Sequence, residues 1–391
     1  TGNFALLTAL DVQALHRWDP EVLIDTHVSD GADHRYVMEL LTTRREKLDP
    51  GVARFMDEVL VPGLHRWMDR KRVAMCPYFE TMAQVPDSGL MAFFDGPRYT
   101  SGYAALFNTV ALLAESHMLK PYADRVNATF QLMLGVLSVL DEHGADLRRA
   151  RAEAARHTAE ATAFPLHWRL DTTRVERLPW KGYAAAWEPS AVSGLPRLRY
   201  DRTRPVDTTV PWYDTYAPGP LRTKPAAYLV PQAWREVGQR LAMAGVRFER
   251  ILRDTVLRAE VHRITDLRTA REPYEGHHLH RDVRTTIAME EVKARAGDLL
   301  IPMGTSHDRF LMEVLEPDAP DSYFAWGFFD AILQQKEWFT DYVFEDVAAD
   351  LLKRDPALRA ALEERRAADP EFAADGWAQL AFVFQRLPYM E

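Results

Sequence analysis

Two short apolar runs in this chain each end on a residue that could do chemistry. The run Ala111-Leu112-Leu113-Ala114 leads into Glu115, and Val22-Leu23-Ile24 leads through Asp25-Thr26 into His27. Such runs are typical of strands buried on both faces, and the functional groups of open α/β sheets lie where such strands end. If the two strands are neighbours, His27 and Glu115 have the side chains of a metal ligand and a general base.

Each of these residues also has an ordinary interpretation. Glu115 could form an ion pair with Lys120 or Arg125, and His27 could be a hydrogen-bonded residue at the edge of the core. Asp25 shares a strand face with His27 because side chains alternate in a strand. It is therefore placed either to orient the imidazole or to cap a neighbouring backbone group.

The same segments resemble motifs of the zinc carboxypeptidases, in particular a bacterial branch with a long C-terminal extension. Asp25-Thr26-His27 resembles the family's Asp-x-His strand, and the sequence from Glu115 to Tyr122, Glu-Ser-His-Met-Leu-Lys-Pro-Tyr, is similar to its Glu-Thr/Ser-His-Met-Leu-Lys-Pro-Tyr segment. Residues 97–103 resemble the Arg-Tyr-Ser/Thr-x-Gly-Tyr loop, and residues 315–322 and 325–330 resemble the C-terminal region of the branch. The resemblance covers most of the chain.

This resemblance implies roles for particular residues. It makes His27 a zinc ligand and Glu115 the general base that activates water. Arg98 would bind the substrate carboxylate through its planar guanidinium, and either Tyr99 or Tyr103 would stabilise a tetrahedral intermediate; packing around Gly102 is the alternative for this loop. The implied activity is hydrolysis of a peptide or amide bond by a secreted or periplasmic enzyme.

One departure from the family is large. The family's first two zinc ligands form a His-x-x-Glu motif upstream of the Asp-x-His strand, and no such motif precedes Asp25. The His-x-x-Glu of this chain, at residues 157–160, lies in an Ala/Arg-rich run that is typical of an exposed helix. Three explanations stay open: a missing upstream segment, a second chain that completes the site, or a degenerate relative. The start of the chain within the family's catalytic region favours the missing segment.

The absence of that motif also supports a rival function, a non-catalytic binding or assembly protein on the same fold. A third class, a sugar- or peptidoglycan-binding module, depends only on the aromatic content of the region after residue 165, which includes Trp168, Trp180, Trp187 and Trp212. For two other residues we expect structural roles: His117, two residues beyond Glu115, and the single cysteine, Cys76, as a small buried side chain.

Composition excludes several classes of protein. The chain has 391 residues, 47% of them hydrophobic, and a net charge of -9 with basic and acidic residues interspersed, so we expect no nucleic-acid binding. Apolar stretches are too short for a membrane span. A single cysteine excludes a disulfide framework within the chain. The oligomeric state stays open.

The pattern along the chain predicts an α/β fold: a partial mixed-sheet zinc-carboxypeptidase-like domain at 1–165, a β-rich domain at 166–320 and a helical C-terminal segment at 321–391. The spacing of apolar residues predicts helices and strands with the following bounds: helices at 8–18, 51–71, 120–142, 145–163 and 232–244, and strands at 21–27, 89–94 and 110–115. Residues 183–225, rich in proline, predict long ordered loops. Helices after residue 322 should break before Pro356 and Pro370. The histidines of residues 277–280 suggest a solvated hairpin face.

Overall fold

The computed structural model describes residues 15–334 and 337–387. Contacts within the chain divide it into two compact units, Thr1–Phe329 and Asp330–Glu391. The predicted α/β class with a helical C-terminal region is confirmed. Of the helix predicted at 8–18, residues 8–14 lie outside the described residues and residues 15–18 are helical. The predicted domain bounds at 165 and 320 stay a prediction.

Seventeen strands lie within the described residues. They are Val22–Ser29 (β1), Met38–Thr42 (β2), Met75–Pro77 (β3), Glu80–Thr81 (β4), Leu90–Met91 (β5), Val110–His117 (β6), Ala163–Pro165 (β7), Trp168–Leu170 (β8), Glu176–Pro189 (β9), Pro196–Tyr213 (β10), Tyr216–Pro218 (β11), Leu221–Thr223 (β12), Ala227–Val230 (β13), Glu249–Arg250 (β14), Thr255–Thr269 (β15), His280–Ala294 (β16) and Leu299–Pro302 (β17).

The α-helices follow the same numbering by chain order. They are Pro50–Phe55 (α1), Val61–Arg70 (α2), Thr100–Ala105 (α3), Tyr122–Glu160 (α4), Arg235–Met243 (α5), Asp308–Leu315 (α6), Asp341–Arg354 (α7), Pro356–Ala368 (α8), Pro370–Ala374 (α9) and Gly376–Phe384 (α10). A π-helical turn at Met56–Leu60 joins α1 to α2, so residues 50–70 are helical throughout, as predicted. Short 3-10 helices lie at Arg45–Lys47, Pro86–Ser88 and Asp330–Leu333.

The first unit contains a four-stranded mixed sheet in the order β1-β6-β2-β3. β6 pairs parallel with β1 and antiparallel with β2. One face of the sheet is apolar, because side chains from all four strands pack there against α1, α2 and α4. The buried members on this face are Met38, Leu40, Met75, Val110, Leu112 and Ala114.

One of the helices on this face, α4, continues without a break where the sequence predicted two helices separated at His143-Gly144. That prediction was wrong because glycine within a helix costs only about 1 kcal/mol. Side chains on both sides of Gly144, among them Leu132 and Leu147, are fully buried in the same core. Tertiary packing therefore keeps the helix continuous through the glycine.

The prediction of long loops at 183–225 was also wrong. Most of it forms β9 and β10, which pair antiparallel over their length with a register shift between Asp201 and Pro205. Prolines are tolerated in strands with an open edge, where an N–H is not needed for pairing. The strand predicted at 89–94 is shorter, at Leu90–Met91.

The second unit consists mainly of short helices, and its breaks lie where the prolines predicted them. Asp355 precedes Pro356 and accepts hydrogen bonds from the backbone N–H groups of Ala357 and Leu358. Asp369 precedes Pro370 and caps the next helix in the same way. Aspartate at the N-cap followed by proline is a favoured helix start. No helix among the described residues is long and apolar enough to cross a membrane.

Candidate functional site

The opposite face of the four-stranded sheet is polar at its carboxyl end. In the parallel pairing of β1 with β6, His27 lies beside Glu115, and in the antiparallel pairing of β6 with β2, Glu115 lies beside Glu39. The two strand ends singled out in the sequence are therefore neighbours. Their side chains share the odd-numbered face, away from the helices.

Asp25 contacts His27 directly. Its Oδ1 lies 2.9 Å from Nε2 of the imidazole, and both side chains are partly exposed. Of the two roles open to Asp25, this contact favours orientation of the ring. With Nε2 against Asp25, Nδ1 is the nitrogen that a metal would use.

Glu115 is buried, with 9% of its surface exposed. Burial raises the pKa of its carboxyl to about 7. Nearby His27 lowers this pKa, whereas the carboxylates of Glu39 and Asp25 raise it further. A carboxyl group that titrates near neutral pH is suited to proton transfer. Lys120, a candidate partner, instead contacts Asp33 and donates to the backbone carbonyl of His34.

A second group of polar side chains on this face was missed in the sequence. His34, Glu39 and His117 are all buried, and one ligand atom from each lies within 4.8 Å of the others. The signal for Glu39 was the same as for Glu115, a lone carboxylate within an apolar run, Val37-Met38-Glu39-Leu40-Leu41. His34 lies in the turn after β1, where nothing in the local pattern marks it.

His117 is fully buried beside this group. Burial and the neighbouring His34 lower the pKa of its ring to about 4, so the imidazole is neutral at physiological pH. Cys76, opposite Glu39 on β3, is buried as expected. Burial and the Glu39 carboxylate raise the pKa of its thiol, which makes it a poor nucleophile.

The three residues predicted to bind substrate lie in the segment before and within α3. The Arg98 guanidinium pairs with Asp321, at 2.8 Å from Nε and 2.7 Å from Nη2 to Oδ1, and lies over the ring of Trp326. The loop and the C-terminal segments that resemble the family thus meet in the fold. The guanidinium already has a carboxylate partner within the chain.

The two tyrosines differ in their surroundings. Tyr99 is half-buried with its ring edge-on to Phe93, and burial raises the pKa of its hydroxyl. Tyr103 is almost fully buried, and its hydroxyl lies 2.9 Å from Nε2 of His16. Tyr99 is therefore the more accessible of the two hydroxyls.

The remaining histidine motifs have structural contacts. His157, of the His-x-x-Glu motif, lies on α4 as predicted, with Nδ1 2.7 Å from Oδ2 of Asp49. Residues 274–277 form the turn between β15 and β16. The solvated face predicted there is limited to His278, since His280 is buried against Phe324.

Comparisons with known proteins are limited to part of the chain. No family profile and no solved structure matches it. Curated proteins that match include Carboxypeptidase 2 of Trichophyton tonsurans and of Trichophyton equinum, each 27% identical over 106 residues, which is 27% of this chain. The match spans about a fifth of the length of these relatives, 20%. The chain is therefore distantly and partially similar to carboxypeptidases.

Proposed function

We propose that this chain contributes to a zinc-dependent hydrolase of peptide or amide bonds, in which His27 is a zinc ligand and Glu115 is the general base. One observation carries the proposal: His27 and Glu115 lie side by side at the ends of two paired parallel strands, with Asp25 against the imidazole. The partial similarity to fungal carboxypeptidases points to the same chemistry.

The residues present fit one side of a zinc site. Imidazole nitrogen and carboxylate oxygen are zinc ligands, and a histidine ligand commonly contacts a carboxylate through its other nitrogen, as His27 contacts Asp25. Catalytic zinc sites use three protein ligands. In this proposal the remaining ligands come from a His-x-x-Glu motif outside these residues, on an upstream segment or a second chain.

The chain's own residues then have distinct tasks. Bound zinc would supply Lewis-acid polarisation of the scissile carbonyl and of a water molecule. Glu115 takes a proton from the attacking water and transfers it to the leaving amine, a role suited to a carboxyl whose pKa is about 7. Asp25 holds the His27 ring in one orientation.

In this proposal Arg98 binds the free carboxylate of the substrate. Asp321 occupies the guanidinium, so the substrate would have to displace it. Tyr99 is our choice for the hydroxyl that stabilises the tetrahedral intermediate, since it is more exposed than Tyr103. A secreted or periplasmic location is part of this proposal and follows only from the resemblance.

The test measures zinc by elemental analysis and hydrolysis of N-blocked dipeptides with free carboxyl ends. In the protein that carries the complete ligand set, we expect His27→Ala to lose about one zinc per site and all activity. Glu115→Gln should keep that zinc and lose activity by about 10²- to 10⁴-fold. His157→Ala, at an exposed position of α4, is the matched control and should change neither. Full zinc content in His27→Ala would contradict the proposal.

A second candidate is a non-catalytic binding or assembly protein on the same fold. The Arg98–Asp321 ion pair favours it, because a guanidinium neutralised within the chain is not free for substrate. This candidate predicts no hydrolysis even when the chain carries zinc.

A further inference from the structure

We propose that His34, Glu39 and His117 form a second metal site, buried in the sheet, for a divalent cation of the zinc class. This site is separate from His27 and does not depend on the proposed function. The three side chains come from the turn after β1, from β2 and from β6. The fold brings them together although His117 is far from the other two along the sequence.

The distances between the donor atoms are those of a compact cluster. His34 Nε2 lies 2.8 Å and His117 Nδ1 lies 3.5 Å from the same Glu39 oxygen, Oε1. The two imidazole rings stack at 4.2 Å between centroids. Two imidazoles and one carboxylate are a donor set that zinc uses, with a fourth position left for water or another ligand.

Burial gives an independent reason to expect an ion here. His34 and His117 are fully buried, and Glu39 is 2% exposed. Neither ring nitrogen of His117 makes a hydrogen bond within the part of the chain that the structure describes. An orphaned buried polar group is uncommon in native proteins and points to an unseen partner such as an ion. A cation between His117 and Glu39 would satisfy it.

The hydrogen bonds of the other two members show what binding would change. Glu39 Oε1 accepts from Ser29 Oγ at 2.7 Å, and His34 Nδ1 accepts from the backbone N–H of Tyr36 at 3.2 Å. Binding of a metal through His34 Nε2 requires that this nitrogen lose its proton. If the proton moves to Nδ1, that nitrogen no longer accepts the 3.2 Å hydrogen bond from the Tyr36 N–H. Metal ligands must be deprotonated, so occupancy should fall as the pH is lowered.

The site differs in character from the one proposed around His27. His27 and Asp25 are partly exposed, as a site that admits substrate must be. The group of His34, Glu39 and His117 is closed to solvent, which is typical of structural zinc sites. Its cation would tie the turn after β1 to β2 and β6, and would enter during folding.

The test compares variants of the full chain produced in zinc-supplemented medium, with metal counted by elemental analysis after gel filtration. We expect Glu39→Gln, which retains the shape of the side chain, to lose about one zinc per chain, and His117→Gln to lose the same zinc. His27→Ala should keep it. His157→Ala is the surface control.

The outcomes separate this inference from the proposed function. Zinc that is lost in His27→Ala but kept in Glu39→Gln and His117→Gln would overturn the second site and leave the first. If Glu39→Gln and His117→Gln fail to fold, X-ray absorption at the zinc edge on His27→Ala tests the site by identifying the atoms that ligate the zinc. Two imidazole nitrogens in the first shell would support the site, and fewer than two, or no bound zinc, would overturn it.

Discussion

The two faces of the four-stranded sheet are built from the same strands and differ completely in content. All eight residues of β6 are buried. Its side chains Val110, Leu112 and Ala114 belong to the apolar core formed with the helices. On the other face, Glu115 pairs with Glu39 across the strands, and His117 lies 3.5 Å from the Glu39 carboxylate and stacks on His34.

The comparison teaches that burial alone does not distinguish a core from a site. On the helix face, burial stabilises the fold, by about 1.5–3 kcal/mol for a large apolar side chain. On the polar face, the same burial disfavours charge, raises the pKa of Glu115 to about 7 and lowers that of His117 to about 4. Burial of ionisable side chains costs stability, and such burial is typical of functional sites.

The largest effect on stability should come from the apolar face. Leu112→Ala removes a fully buried side chain from the middle of the helix–sheet core, and we expect it to lower the free energy of unfolding by about 2–5 kcal/mol. Chemical denaturation followed by circular dichroism measures this loss. Leu137→Ala, at an exposed position on α4, is the control and should change it by less than about 0.5 kcal/mol. Equal losses in the two variants would remove the distinction between the core and the surface of α4.

On the polar face, a substitution should raise the free energy of unfolding instead of lowering it. With its pKa raised to about 7 by burial, Glu115 keeps its proton in the folded state up to about pH 7, whereas the unfolded chain releases it near pH 4.5. The wild-type chain therefore loses stability as the pH rises through this window, and Glu115→Gln does not. Between pH 4 and pH 8, the free energy of unfolding of zinc-free Glu115→Gln should rise relative to that of the wild type by at most about 3 kcal/mol.

Denaturation curves across this pH range measure the difference. Glu142→Gln, on an exposed part of α4, controls for the substitution itself. A difference between Glu115→Gln and wild type that stays constant with pH would mean that the carboxyl is not destabilised by burial.

The smallest effect concerns how closely α4 covers the apolar face. A Cβ at Gly144 would meet only Leu140 at 3.8 Å, so Gly144→Ala should raise stability by about 0.5–1 kcal/mol through helix propensity. A Cβ at Gly135 would lie 3.0 Å from the Trp67 ring, so Gly135→Ala should lack this gain or reverse it. Thermal denaturation of the two variants, which share a helix and a substitution, measures the contrast. A similar gain in both would show that the packing against Trp67 is loose.

Much of the candidate site was visible in the sequence because strands buried on both faces are apolar runs. A charged or imidazole side chain at the end of such a run is conspicuous, and this identified His27 and Glu115. Glu39 has the same signal, a single carboxylate within an apolar run. His34 carried none, since its role depends on a turn that returns it to the sheet.

The wrong predictions of secondary structure have a similar cause, since tertiary contacts outweigh local preference at those positions. Local propensity predicts a helix break at Gly144, but packing on both sides of the glycine outweighs that propensity. The prolines of residues 183–225 predict loops, but the paired strands β9 and β10 accommodate them. In the second unit, Asp-Pro pairs act locally, so their predicted helix breaks were correct.

The sequence by itself determined the apolar strands, the polar residues at their ends and the caps of the C-terminal helices, because these depend on neighbours along the chain. Only the tertiary structure decided that β1 lies beside β6, that Glu39 faces Glu115, and that Asp321 takes the guanidinium of Arg98. Those pairings join residues far apart in sequence. They depend on strand order and register, which the burial of the whole sheet selects and no local pattern encodes.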